Sequence, residues 1–166
     1  MMNKINLLFV TLFGIGNLKF APGTFASLVT SILLFIIFHV FGISSSFVLL
    51  FLLILLIYSI FAVSSCLNKF KDNDPKQIVI DEVIGQSIPI YIYEISHGTE
   101  KNFDKSILFY FFIFALFRIF DILKPFPINY FDRKYKNTFG IMFDDILAGF
   151  YVVLTLILAM IVKNLL

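Results

Sequence analysis

The residues best equipped for chemistry in this chain are two acidic pairs set in apolar runs: Asp81 and Glu82 within IVIDEVIG, and Asp144 and Asp145 within IMFDDILAG. Both runs keep one order, an apolar triplet, the acidic pair, an apolar pair and then small residues, Gly85 in the first and Ala148 and Gly149 in the second. Positions four apart share a helical face, which stacks Asp81 near Gly85 and Asp145 near Gly149. A glycine there lets a neighbouring helix come close beside the carboxylate. Four carboxylates at two adjacent helix starts repel one another unless a cation joins them, and hard oxygen ligands of this kind suit Mg²⁺ or Mn²⁺. Acids at helix N-termini also complement the helix dipole. That reading accounts for one such pair better than for two pairs and the cluster that lies between them.

That cluster is FRIFDILKPFPINYFDR, in which Arg118, Asp121 and Lys124 step three residues at a time down one helical face until Pro125 ends the helix. A cation, an anion and a second cation then line one stripe, and Asp132 and Arg133, in the loop after Pro127, are placed to fold back toward it. A helix-end salt bridge with a snorkelling lysine explains each charge singly. It does not explain why the charges gather at one end of the apolar segments. Nearer the N-terminus, KFAPGTFAS puts Pro22 and Gly23 in a turn and makes Thr24 the expected N-cap of a helix starting about Phe25, whose free N–H groups can bind phosphate. Capping alone also accounts for this segment. Covalent routes lack their residues: Cys66 is the only cysteine and reads as buried helix filler, no Asp-x-Asp-x-Thr pattern occurs, and His39 and His97 stand apart from the acids as structural or surface histidines.

The elements that must position these groups are set by composition. A hydrophobic fraction of 60% and a mean hydropathy of +0.96 exceed what a soluble globule of 166 residues can hide, so lipid is part of the solvent. Stretches 28–43, 47–66, 107–123 and 146–162 approach the roughly 20 residues that a helical crossing takes. A fifth, 78–95, qualifies only with Asp81 and Glu82 inside it, and it carries Pro89. Residues 1–11 lack a small-residue cleavage pattern after them and are expected to remain as an interfacial or re-entrant piece. The expected fold is therefore all-α, a polytopic membrane bundle of four to five transmembrane helices forming one domain over 1–166. With the N-terminus inside and five crossings, Lys4, Lys19, Lys69, Lys71, Lys76, Lys124, Arg133, Lys134 and Lys136 fall on the cytoplasmic side, while Lys101, Lys105 and Lys163 fall outside. Segments 19–27, 74–82 and 118–145 then emerge at one membrane face, where a shared site becomes geometrically feasible. Segment 94–105 reads as a plain outer loop. A net charge of +2 without a dense basic run argues against a nucleic-acid partner.

Together these segments resemble the phosphatidylglycerophosphatase A family, through GIGNLKFAPGTFAS at 14–27, DPKQIVIDEVIG at 74–85, and FRIFDILKPFPINYFDR followed by GIMFDDILAG within 117–149. The order and spacing agree across nearly the whole chain. Ala26 departs from the family's usual second glycine in the first motif, and 137–139 replace its usual glycine pair before GIM. The resemblance implies an enzyme of the bacterial inner membrane that uses Mg²⁺ to hydrolyse phosphatidylglycerophosphate to phosphatidylglycerol and inorganic phosphate, with its site on the cytoplasmic face. Carried over by position, Asp81, Glu82, Asp121, Asp144 and Asp145 are the expected catalytic residues and metal ligands. Arg118, Lys124, Arg133 and Thr24 are expected at the phosphate. Direct, metal-assisted attack by water without a phosphoenzyme follows from the missing covalent nucleophiles. A CDP-alcohol head-group transferase would also place aspartates at the membrane edge, but its long Asp-Gly…Ala-Arg…Gly…Asp…Asp pattern is missing. An ion-coupled transporter would want acids near mid-membrane. A purely structural membrane protein would need none of these groups.

Overall fold

Backbone polar groups in lipid must be satisfied within their own segment, and the described chain accordingly folds as helices, with no strand among the described residues. The computed structural model describes residues 2–70, 75–97 and 103–165. The loop positions Lys71, Asp74, Gly98 and Lys101 lie outside the described residues, as does the side chain of His97. Helix α1 spans Met2–Val10 and is followed by a single 3-10 turn, Ile15–Asn17. Helix α2 spans Pro22–Phe35 and runs on through one wider turn at Ile36–Val40. Then come α3 (Ser45–Leu67), α4 (Ile80–His97), α5 (Phe103–Leu123), α6 (Ile128–Lys134) and α7 (Thr138–Leu165).

Four of these, Pro22–Val40, Ser45–Leu67, Phe103–Leu123 and Thr138–Leu165, are long and apolar enough to cross a membrane, and the protein is membrane-embedded. Their outer faces carry Phe47, Ile57, Phe111 and Leu158 in the open, a distribution that only a lipid solvent tolerates. Helix α1 is nine residues long, about 14 Å at the helical rise, and is too short to cross. It packs against α3, with Tyr58 donating to Asn6 at 2.8 Å and Phe9 set edge-on to Tyr58.

The fifth stretch proves to be the centre of the bundle. Helix α4 bears three acidic residues in its eighteen, which disqualifies it by composition, yet nearly all of it from Ile80 to Tyr93 is shielded by other helices. At one end its Asp81 and Glu82 meet the start of α2, the end of α5 and α7. At the other, Glu94 lies 3.2 Å from His39 Nε2 and accepts a 3.0 Å bond from Tyr110. It therefore runs the length of the bundle, screened from lipid, and needs no continuous apolar surface. Glycines set its distance from α7. A Cβ on Gly85 would stand 2.6 Å from the Asp145 carbonyl oxygen, and one on Gly149 would stand 2.5 Å from the carbonyl oxygen of Gly85. The close approach expected beside the carboxylates is thus between α4 and α7 themselves. Cys66 is buried in the helix interface, unpaired, as its setting in an apolar run predicts.

Candidate active site

Each functional side chain is held by a local device. The start of α4 is tied down by its approach: Ile78 N–H donates to the Pro75 carbonyl at 2.9 Å, and Val79 N–H donates to the Val10 carbonyl at 2.9 Å. Gly16 lies so close to the Gln77 carbonyl that a side chain there has no room. Asp81 and Glu82 thus enter the first turn of α4 in a fixed rotation. Helix α7 is capped by Asn137, whose Oδ1 accepts from Gly140 N–H at 3.0 Å. Helix α5 stops at Leu123, and Lys124 takes a left-handed conformation, φ 42°, that swings its side chain away from the helix.

These devices open a cleft of about 310 Å³ at one end of the bundle. Its walls include Asp81, Glu82, Asp121, Asp144 and Asp145 with Arg118, Lys124 and Lys76, and Gly23 and Thr24 close one side. One carboxylate oxygen each from Asp81, Glu82 and Asp145 lie within 4.8 Å of one another. Asp81, Asp144 and Asp145 are buried. Asp81 Oδ1, Glu82 Oε2 and Asp144 Oδ1 have no hydrogen-bond partner. Buried carboxylate oxygens left in that condition are costly, and a hard divalent cation held among them would relieve the cost. The donor set, all carboxylate, fits such an ion.

The cations are engaged with the outer acids. Arg118 Nη1 lies 2.6 Å from Asp121 Oδ2 and 3.4 Å from Ser27 Oγ. Lys124 Nζ bridges Asp144 Oδ2 at 2.6 Å and Asp132 Oδ1 at 2.8 Å. Burial lowers the Lys124 pKa, but the Asp144 charge and the bonds to both carboxylates outweigh it and hold the ammonium well above its ordinary value. For Asp132, burial acts upward, and the bond and charge of Lys124, helped by Lys136, bring the carboxyl below its usual value. Gly23 serves this arrangement by omission. A Cβ there would collide with Glu82 Oε1 and lie 3.3 Å from Arg118 Nη1.

Eight of the nine sequence-predicted site residues border this one cleft, and Arg133 does not. Arg133 lines a separate surface depression with Phe126, Asn129, Tyr130 and Lys134. Residues 128–134 form helix α6 where a loop was expected, and successive side chains of a helix diverge by about 100°; Asp132 meets Lys124, while Arg133 falls in the other depression. Thr24 is not a cap. Helix α2 begins three residues earlier, with Pro22 pre-set for its first turn after a left-handed Ala21, and Thr24 lies inside that turn. Asp144 and Asp145 likewise sit in the second turn of α7, past the positions where the helix dipole would stabilise them. Lys76 and Gly23 were not expected in the site. Gln86, one turn beyond Glu82, is fully buried with neither amide atom bonded and does not line the cleft.

Fold and site define a membrane-embedded helical enzyme whose carboxylate-walled cleft opens at one end of the bundle. The chain belongs to the phosphatidylglycerophosphatase A family, whose model matches residues 8–160, and it is accordingly a phosphatase. It is 38% identical over 157 residues to the phosphatidylglycerophosphatase A of Haemophilus influenzae, covering 93% of this chain and 87% of that one. A Bacteroides thetaiotaomicron protein described provisionally as a phosphatidylinositol-3-phosphatase is 32% identical over 148 residues, covering 84% of this chain and 83% of that one. The phosphatidylglycerophosphatase A of Escherichia coli matches over 36 residues at 56% identity, covering 22% of this chain and 21% of that one. No solved structure matches the chain.

Proposed function

We propose that this protein hydrolyses phosphatidylglycerophosphate to phosphatidylglycerol and inorganic phosphate with Mg²⁺, the last step in making that anionic lipid, at the cytoplasmic face of the bacterial inner membrane. The observation that carries the reading is the charge of the cleft. Five carboxylates face three cations in its walls, a formal surplus of two negative charges. A phosphate monoester dianion would be repelled from such a site unless a divalent cation were bound among the acids. The family relationship and the Haemophilus influenzae relative supply the substrate class. The distribution of Lys19, Lys69, Lys76, Lys124 and Lys136 about the cleft end supports the cytoplasmic orientation.

Asp81, Glu82 and Asp145 are the inner ligand set in this reading, with Asp121 and Asp144 completing it toward the mouth. When bound, Mg²⁺ supplies charge neutralisation and Lewis acidity at the phosphoryl oxygens. Arg118 and Lys124, already aimed into the cleft, turn from their carboxylate partners to the phosphoryl oxygens and hold the group in line. A carboxylate of the cluster accepts the proton of the attacking water. The oxygen of that water bonds to phosphorus as the glycerol oxygen leaves and takes up a proton. Thr24 and the first turn of α2 offer hydroxyl and N–H donors at the cleft wall.

The test is phosphate release from phosphatidylglycerophosphate in detergent micelles, with phosphatidylinositol 3-phosphate as the competing substrate that the Bacteroides thetaiotaomicron relative suggests. Activity lost to a chelator, restored by Mg²⁺ and greater on phosphatidylglycerophosphate bears the proposal out. Full activity in chelator, or none on either lipid, overturns it.

A further inference from the structure

Two of the helices that wall the cleft, α2 and α5, also frame an apolar groove. It measures about 280 Å³, lies between α2 and α5, and is lined by Leu28, Ile32 and Phe35 on one side and Ile107, Phe111 and Phe114 on the other. Its lining presents only apolar surface. The Ser31 hydroxyl, which borders it, is turned back to donate to the Ser27 carbonyl at 2.9 Å. Cleft and groove are neighbours along both helices: Thr24 and Arg118 belong to the cleft, Leu28 and Phe114 to the groove, each one helical turn farther along. The 3.4 Å contact from Arg118 to Ser27 marks the junction.

The groove is open along its length and closed at its far end. Ile32 is 51% exposed and Phe111 65% exposed, so lipid reaches the groove from the side. Phe35 and Tyr110 meet edge to face at 5.2 Å and close the top. That plug is fastened from behind, since Tyr110 donates to Glu94 at 3.0 Å and His39 stacks on Phe35 at 4.6 Å. From Thr24 to Phe35 is eleven residues, about 16 Å along the helix axis, so the groove reaches about the midplane of a hydrocarbon core roughly 30 Å thick.

We propose that the α2–α5 groove seats an acyl chain of the lipid phosphate while its phosphorylated head occupies the acidic cleft, a reading that rests on the function proposed above. Polarity and geometry match such a molecule end to end: charge at the cleft, the turn at Ser27 and Arg118 where the glycerol would lie, and hydrocarbon beyond. The chain leaves one apolar phase for another, so burial itself contributes little, and the groove acts through packing that fixes the register of the head. A second apolar crevice between α4, α5 and α7, lined by Phe112, Leu156 and Ile157, lies at the opposite end of the bundle and does not meet the cleft. It serves as the control.

The experiment compares Ile32→Trp with Ile157→Trp on two substrates, long-chain phosphatidylglycerophosphate and its chain-free deacylated form. In Ile32→Trp the ratio of kcat/KM for the long-chain over the chain-free substrate should fall roughly tenfold, the consequence of forcing extra atoms into an occupied groove. In Ile157→Trp the ratio should stay at the wild-type value. A non-hydrolysable phosphonate analogue carrying a diazirine on one acyl chain provides a readout on the unaltered protein. Its cross-links should map to α2 and α5 about Ile32 and Phe111, and phosphatidylcholine with the same label should not reproduce them. If the wild type releases phosphate from the lipid but the Ile32→Trp ratio is unchanged, or if the cross-links fall elsewhere or arise equally from phosphatidylcholine, the acyl-chain seat is wrong. If the wild type releases no phosphate from the lipid, the function reading itself fails.

Discussion

Replacing Gly85 by alanine adds one carbon at the place where α4 and α7 touch, and its effect can be worked from the coordinates. The new Cβ would lie 2.6 Å from the Asp145 carbonyl oxygen and 2.9 Å from Phe117 Cε2, whereas ordinary contact begins at 3.4 Å. The first obstacle is backbone and cannot rotate away, so the helices must part by about 0.8 Å at this level. Asp81 and Glu82 ride on one helix and Asp145 on the other. A ligand set for Mg²⁺ tolerates little of this, because that ion demands near-ideal geometry at about 2.0–2.1 Å. Misplacement by about 1 Å typically costs on the order of a hundredfold in rate, and the over-packing itself costs about 1–3 kcal/mol of stability. Gly85→Ala should therefore insert and purify normally, lose roughly a hundredfold in phosphate release, and need more Mg²⁺ for half-maximal activity. The assay is a Mg²⁺ titration of phosphate release in micelles. Wild-type rate and wild-type Mg²⁺ requirement in a folded Gly85→Ala protein would refute the claim that α4 and α7 jointly hold the ion.

Asp81→Asn, Asp121→Asn and Asp145→Asn should each remove most phosphate release while leaving the protein inserted, as size-exclusion profiles in detergent would verify. Arg118→Ala should lower kcat/KM by roughly 10²–10³, the usual loss for one donor to a developing phosphoryl charge. Arg133→Ala, outside the cleft, should change it only a few-fold, and equal losses for the two would contradict the assigned geometry. Asp132 ties stability to acid pH. Its folded pKa lies below the ordinary 3.8, so its contribution is complete above that value and is lost as pH falls through the lowered folded value. Asp132→Asn should flatten the acid limb of a thermal-stability profile recorded from pH 6 downward, and an unchanged limb would count against the Lys124 bridge.

The carboxylates were legible in the sequence because charge inside an apolar run is conspicuous, and their gathering at one end followed from assigning crossings by Lys and Arg. The place of α4 was not. Apolar length identifies helices that face lipid, and a helix wrapped by others escapes that requirement, so the least apolar stretch turned out to be the central one. Arg133 was assigned by its neighbourhood to Asp132, and only the helical phase of α6 separates the two. Thr24 read as a cap because threonine favours that position, but Pro22 at the first helical turn overrode it. The roles of Gly23, Gly85 and Gly149 depend on which backbone or side chain lies opposite. Spacing foretold a close neighbour for Gly85 and Gly149, without telling that each faces the other's helix, and gave no hint that Gly23 makes room for Glu82.

The most direct test of the whole account is Mn²⁺ binding to the purified protein, followed by electron paramagnetic resonance and competed with Mg²⁺. The account predicts saturable binding that Mg²⁺ displaces and that Asp81→Asn or Asp145→Asn abolishes, with Ile157→Trp binding as the wild type does. Failure of the wild type to bind saturably, or undiminished binding in both aspartate variants, would contradict it.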